Sequence, residues 1–557
     1  MAGEEPDLPF WLFDALFISF YGSVCVFIHA LPFFTIIMYN KRCILIKKGA
    51  IDTMKMKCSK DKVISLVINI SRTGLYVLAG CMLLWLNISS RSIQGGVAVF
   101  IVLLLSVGLG GLLERIVLHR TYLEWLVLGV CCALFWLACM RWVAIVPYHM
   151  EGDQAIVWQS AVFALQGNFS MYSHGGQMFI YPQQQGLAFL YEILFRLTGS
   201  DSHQMIGYIN ATLAPLTLSF GYLCVKEISG TKAAVRFLPF MMMCLPYIIY
   251  SPYVYGDIPS ISLSFVLLWS ILKFTTTMRY RYAVLACGVA AVALICRKNI
   301  WIFLIGVLIG LGYQAWQKWN LKPVLFAVCI VLCASLSMTA IKQFNSIRSG
   351  YPVSEGMPTV LWIAMGLQYS EYGAGYYNNY SKEVYQKVGC DGEQAAAIGW
   401  QEVKDRVKIF MEYPDQCWMF FREKMKSQWV DPLFESVKFT GTFDEDNMDG
   451  VPSMILEIYQ GEAKDTLRKI CSIMMSVVYF FSLIGVGFRY FKKKPIVEDI
   501  PLIVFVGGFL FSIFWEAKAR YMFPYFVLLQ LYAVYGLTDM TEVIKVRVLK
   551  LASKRGK

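Results

Sequence analysis

The stretch YHMEGDQ, residues 148–154, sets His149, Glu151 and Asp153 within five positions. An apolar run over 122–146 ends just before it, and apolar residues return just after. Two carboxylates at i and i+2, at the lip of a membrane helix, escape full desolvation yet can come under partial cover. Partial burial and a like-charged neighbour raise a carboxyl pKa toward the range of a general base, able to take the proton of an incoming hydroxyl. The plainer alternative is that Glu151 and Asp153 cap a helix starting near Gln154, where acids suit the N-terminus. Spacing alone leans toward capping. The residues that follow lean the other way. QAIVWQSAVFALQ and QGLAFLYEILFRLTG, within 154–203, are amphipathic pieces too short for full spans, and would lie along the membrane surface. An acid placed before interfacial helices suits chemistry on a lipid-linked molecule. Tyr181, in the segment joining the two pieces, and His149 are candidates for lining a substrate pocket.

Other clusters could serve the same chemistry. YSPYVYGDIPS (250–260) places Asp257 between two apolar runs; it is a pocket candidate or only a helix cap, and its aromatics suit an interfacial belt. Arg297 and Lys298, in CRKN, sit between two short spans, where cations either snorkel to headgroups or bind a phosphate. In FWEAKARYMFPYF (514–526), Glu516 and Arg520 have the i, i+4 spacing of a helix-surface ion pair, while Lys518 and Arg520 are the cations an anion would seek. FREKMKSQWVDP (421–432) brings Arg422, Lys424 and Lys426, on their own a solvated basic face.

Metal chemistry finds little support in the pattern. DEDNMDG (444–450) has Met448 at the fifth position and Gly450 at the seventh, out of register for a calcium loop, and reads as a solvated acidic turn. His174 and His203 lack partners at metal spacing, and no CxxC pair occurs. No metal site and no cofactor are expected, although a divalent cation is left open. Cys390 and Cys417 share the one large polar segment and would be the pair for a disulfide.

Membrane helices must position these residues. The chain has 557 residues, 57% hydrophobic and 16% charged, with mean hydropathy +0.53, which excludes an ordinary soluble domain. Repeated apolar stretches predict about thirteen helices, near 12–38, 66–88, 96–113, 122–146, 204–224, 236–252, 258–274, 282–296, 300–316, 323–341, 467–488, 499–515 and 521–538. The acidic N-terminus lacks a cleavage signature, so the first run is expected to be retained. Arg72 is expected near an interface, because a mid-bilayer Arg costs about 2.5–3.5 kcal/mol on insertion scales.

The net charge of +12 is a topology signal rather than a nucleic-acid one. Eight Lys and Arg residues crowd 39–63, others gather in alternate short loops, and Lys545–Lys557 end the chain. The positive-inside rule then places the N-terminus outside and the C-terminus in the cytoplasm. The large segments 147–203 and 342–466 fall outside, and 342–466 holds 19 of the 38 acidic residues. Four regions are expected: additional N-terminal helices (1–121), a transmembrane core with its first outer loop 147–203 (122–341), an extracytoplasmic cap (342–466), and C-terminal helices with a basic tail (467–557).

Taken in order, EGDQ, YPQQQGLAFLYEILFRLTG, YGDIPS, RKN and EAKARYMFPY resemble the polytopic GT-C glycosyltransferases over roughly 122–540. More narrowly, they are similar to bacterial relatives of protein O-mannosyltransferases and of the lipid A aminoarabinose transferase (glycosyltransferase families 39 and 83). The resemblance implies an all-α polytopic fold and transfer of one sugar from a polyprenyl-phosphate donor to a glycan, lipid or protein acceptor on the extracytoplasmic face. It implies Asp153 as the base, with Glu151 beside it, and Lys298 and Arg520, then Arg297 and Lys424, as holders of the donor phosphate. Departures are two. The first three helices have no counterpart, and the acids read E-G-D rather than adjacent Asp-Glu, which favours a glycan or lipid acceptor over a protein. The rival class is a transporter or flippase for a lipid-linked sugar. It predicts charges within the bilayer on both sides of a cavity and internal pseudo-symmetry.

Overall fold

A computed structural model describes residues 50–90, 92–118, 121–318, 320–443 and 451–555. The expected helix at 12–38, the basic residues up to Lys48 and the turn 444–450 lie outside the described residues. Every other expected span except 236–252 is one helix over nearly its whole length. Among the described residues, seven helices are long and apolar enough to cross a bilayer: 122–145, 203–229, 257–277, 300–318, 322–349, 463–492 and 496–514. They become eight if the pair 69–89 and 94–107, bent by 118°, counts as one. The protein is an all-α polytopic membrane protein, with one two-residue β-hairpin as the strand content of its described residues.

In chain order the helices of five or more residues are α1 (Ala50–Ser89), α2 (Ile93–Leu118), α3 (Thr121–Ile145), α4 (Asp153–Leu165), α5 (Gln185–Thr198), α6 (His203–Ser229), α7 (Thr231–Met242), α8 (Leu245–Ile249), α9 (Asp257–Thr277), α10 (Tyr280–Cys296), α11 (Ile300–Lys318) and α12 (Lys322–Ser349). The expected span 236–252 is therefore broken into α7 and α8. Pro246 sits in the first turn of α8, where its missing N–H is tolerated; inside a continuous helix it would leave the Met242 carbonyl without a donor. The segment after α12 folds as α13 (Thr359–Gly366), a hairpin pairing Tyr369 with Ala374 and Ser370 with Gly373, α14 (Tyr380–Lys387), α15 (Gly392–Glu412), α16 (Pro414–Trp429), α17 (Ser436–Thr440) and α18 (Ser453–Tyr459). Then come α19 (Ala463–Lys492), α20 (Ile500–Phe514) and α21 (Phe523–Arg555).

Helix α19 packs along α21 with backbones in contact. A Cβ on Gly485 would strike the Tyr532 carbonyl, and one on Gly536 the Phe481 carbonyl. Small residues at that crossing let two membrane helices gain dispersion contacts where lipid supplies no hydrophobic drive. At the same end of the bundle, Asp499 accepts from Tyr76 Oη (2.7 Å), Tyr532 Oη (2.8 Å) and Arg489 Nε (3.0 Å), with Arg72 at 3.5 Å. Arg72 thus has a counter-charge, and α1, α19, α20 and α21 are tied together at one point. Glu124 at the start of α3 accepts from Lys226 and from Tyr222 Oη (2.6 Å) at this end too.

The 342–466 segment seats on the opposite helix ends, with 147–203. His149 N–H donates to the Thr442 carbonyl (2.9 Å), Met357 N–H to the Ile180 carbonyl (3.0 Å), and Ala517 N–H to the Gly375 carbonyl (2.7 Å). Trp429 Nε1 donates to Ser512 Oγ (2.9 Å). A small second core, Ile180, Tyr181, Met357, Leu361, Tyr385 and Ala395, binds the two outer segments to each other. Cys390 and Cys417, the pair considered for a disulfide, are both free thiols.

Candidate active site

The site is assembled where several helices begin or end. Gly256 abuts the end of α10 so closely that a Cβ there would strike the Cys296 carbonyl. This brings Asp257, first residue of α9, onto Arg297, the residue capping α10, and the two form a buried ion pair. Arg297 also lies 5.3 Å from the Tyr255 ring and 5.6 Å from that of Tyr521. The sequence reading treated Arg297 as a phosphate-binding cation and Asp257 as a separate pocket residue. The structure corrects their separation, because each is the other's counter-charge.

The stretch after α20 carries the second correction. Trp515 and Lys518 have extended backbones, so Glu516 and Lys518, spaced i and i+2, face the same way. Lys518 Nζ lies 2.7 Å from Glu516 Oε1, and Tyr521 Oη donates to Glu516 Oε2 (3.0 Å). The Glu516–Arg520 ion pair, one of the two readings of that spacing, needed a helix and does not form. Arg520 is instead 3% exposed with its guanidinium 4.6–5.4 Å from the rings of Phe439, Tyr255, Tyr253 and Tyr521. No carboxylate among the described residues pairs with that guanidinium, and its Nε has no hydrogen-bond partner. A buried cation held by aromatic faces alone is a strong attractor for an anion.

Asp153 opens α4, directly after Gly152 with φ 61°. Neither Asp153 nor Glu151 supplies a capping hydrogen bond, and both side chains are exposed. The Asp153 charge nonetheless reaches the interior. Burial, then Asp153, pushes the Tyr255 phenol above its ordinary value, and the same two causes act on Tyr377. Tyr181 is likewise raised by burial, with Tyr377, Asp153 and Glu516 adding to it. Burial is the largest influence on Lys518 and opposes its charge, but Glu516, Tyr521 and Asp153 together outweigh it and raise the amine well above the lysine range. Asp153, Tyr181, Tyr255, Tyr377, Glu516, Lys518 and Arg520 therefore form one electrostatic group.

Other candidates fall elsewhere. Lys424 is buried, unlike its exposed neighbours Arg422 and Lys426. Its Nζ donates to the Gly366 carbonyl, and burial pushes it down to about 7, with Glu516 opposing. It supports the hairpin from beneath and is not on a solvated basic face. Lys298 makes no hydrogen bond or ion pair with the group, and its charge acts on Lys342 of α12. The exposed His149 ring lines a surface groove with Tyr148, His203 and Pro252, a lining that includes neither Asp257 nor Arg520.

Sequence reasoning missed Glu435. This residue and Phe434 are consecutive non-glycine residues at φ 58° and 49°. Left-handed non-glycine residues cost about 1–3 kcal/mol each and concentrate at functional sites. WVDPLFESV carries an Asp-Pro turn signal, but Phe434 and Glu435 are not residue types that announce a left-handed backbone.

Fold and site together define an integral membrane protein of the all-helical class, with the Asp499 cluster tying one end of the bundle and an unneutralised cation, Arg520, at the other. No family model matches the chain, and no curated protein matches it. Among solved structures, the chain is similar to the oligosaccharyltransferase AglB of Archaeoglobus fulgidus in complex with an inhibitory peptide and a dolichol-phosphate. The TM-score is 0.41 at 12% identity, over 78% of this chain and 52% of that one. The apo form of the Archaeoglobus fulgidus oligosaccharyltransferase gives a TM-score of 0.42 at 13% identity over the same shares. The chain spans about half the length of these structures, and likeness of this degree assigns no residue a role.

Proposed function

We propose that this chain is a membrane glycosyltransferase that moves one sugar from a polyprenyl-phosphate carrier to a hydroxyl of an extracytoplasmic glycan, lipid or protein. The observation that carries the reading is that Tyr255 borders both halves of the required chemistry. The Asp153 carboxylate, free of hydrogen bonds, acts on its phenol, and the guanidinium of Arg520, free of any counter-ion, lies 5.3 Å from its ring. Asp153 takes the acceptor's proton as the acceptor oxygen bonds to the anomeric carbon. The bond from that carbon to the phosphate oxygen breaks on the opposite face, inverting the centre. Arg520 stabilises the charge that develops on the departing phosphate. Lys298 is the further cation proposed for the lipid phosphate. Arg297 and Lys424, already engaged by Asp257 and Gly366, shape the site.

The test is transfer of radiolabelled sugar from a panel of polyprenyl-phosphate sugars in membranes, with Asp153→Asn at matched expression. Loss of a positioned base predicts a fall of about 10²–10⁴-fold. Full activity in Asp153→Asn removes Asp153 as the base. No consumption of any donor by the wild type moves the flippase reading to the front.

A further inference from the structure

The strained pair Phe434–Glu435 is held from several sides. The Glu435 N–H donates to Asp431 Oδ2 (2.8 Å), and Asp431 is ion-paired with Arg468 (3.3 Å). The Phe434 ring is buried against Phe526 (4.9 Å) and Phe523 (5.4 Å), and its carbonyl accepts from Tyr250 Oη. This geometry aims the Glu435 carboxylate at two places. Oε1 accepts from Tyr376 Oη (2.9 Å), and Oε2 accepts from the backbone N–H of Arg520 (3.3 Å). Lys438 Nζ stands 4.0 Å from Oε1 and donates to Tyr376 Oη (2.8 Å). The carboxylate grips the backbone of Arg520 while leaving its guanidinium unpaired.

We infer that Glu435 is a positioning residue for the anion site. It anchors the Arg520 backbone and Tyr376, so that the guanidinium stays in its ring of Tyr253, Tyr255, Phe439 and Tyr521 with its charge available to the phosphate of a lipid-linked ligand. A carboxylate bonded to the guanidinium itself would cancel the attraction, as Asp257 does for Arg297. The backbone bond fixes the same residue without that cancellation. The left-handed conformation is what directs the side chain there, which accounts for a bulky pair occupying a region that favours glycine.

This inference rests on the reading of Arg520 as the phosphate site, and the experiment separates the two. Full-length protein in lipid nanodiscs is assayed for retention of radiolabelled undecaprenyl phosphate, alongside thermal unfolding. Glu435→Gly relieves the backbone strain, so it is expected to melt no lower than wild type yet bind about tenfold more weakly. Combined with Arg520→Ala it is expected to lose nothing beyond Arg520→Ala alone, because both act through one guanidinium. Glu435→Gln keeps an acceptor oxygen for the Arg520 N–H and is expected within about threefold of wild type. Wild-type binding by Glu435→Gly, fully additive losses, or a Glu435→Gln as weak as Glu435→Gly each overturns the inference. Undiminished binding by Arg520→Ala overturns the phosphate reading beneath it.

Discussion

At the scale of single residues, charge state follows from what each side chain touches. Lys424 and Arg520 are both buried cations, and they resolve the burial penalty differently. Arg520 cannot lose its proton and leans on aromatic faces. Lys424 can, and burial draws its amine down to about 7, against about 10.4 for a free lysine. Between those values the unfolded chain binds more protons than the folded one, so stability rises with pH across the window. The penalty is complete below about pH 7 and fades toward pH 10. Lys424→Met, of similar volume, is therefore expected to raise the melting temperature more at pH 6 than at pH 9. An equal gain at both values would show that Lys424 keeps its proton in the folded protein up to pH 9.

At the scale of elements, the site depends on where helices stop. α20 ends at Phe514, and the extended residues after it turn Glu516 toward Lys518 and free Arg520 from the acid it appears to pair with in the sequence. α9 begins one residue after Gly256, whose lack of a Cβ lets Asp257 reach Arg297. Gly256→Ala would press a methyl into the Cys296 carbonyl, a backbone atom that cannot swing aside. It is expected to cost about 1–3 kcal/mol and to reduce transfer activity as the Asp257–Arg297 pair separates. Thermal unfolding and sugar transfer measured on the same preparation check this, and a variant unchanged in both would mean the two helix ends part freely.

At the scale of the whole molecule, the Asp499 cluster and the candidate site occupy opposite ends of the bundle. Asp499 answers Arg489 and Arg72 and receives two tyrosines. Asp499→Asn would leave Arg489 with Glu498 as its remaining carboxylate and strip Arg72 of its own, with an expected loss of about 1–3 kcal/mol and lower resistance to detergent. Orientation is tested by the thiols of the 342–466 segment. Cys390 and Cys417 are free and partly exposed. A membrane-impermeant maleimide added to intact cells is expected to label the protein, and the double variant Cys390→Ser, Cys417→Ser to lose that label. Labelling only after permeabilisation would reverse the assigned sidedness.

The sequence by itself determined the all-helical class and the position of nearly every span. A run of about twenty apolar residues must satisfy its own backbone in lipid, and that requirement is local. It also marked Asp153, Asp257, Arg297, Glu516 and Arg520 as residues needing a reason. Only the tertiary structure decided their partners. Asp257 and Arg297 are 40 residues apart, and the Glu435 carboxylate meets an N–H 85 residues away. The broken span at Met243, the burial of Lys424 and the left-handed Phe434–Glu435 pair likewise depend on neighbours distant in the chain. Hydrophobic periodicity is a property of adjacent residues. Counter-charge and imposed backbone strain depend on packing, which a single strand of sequence does not display.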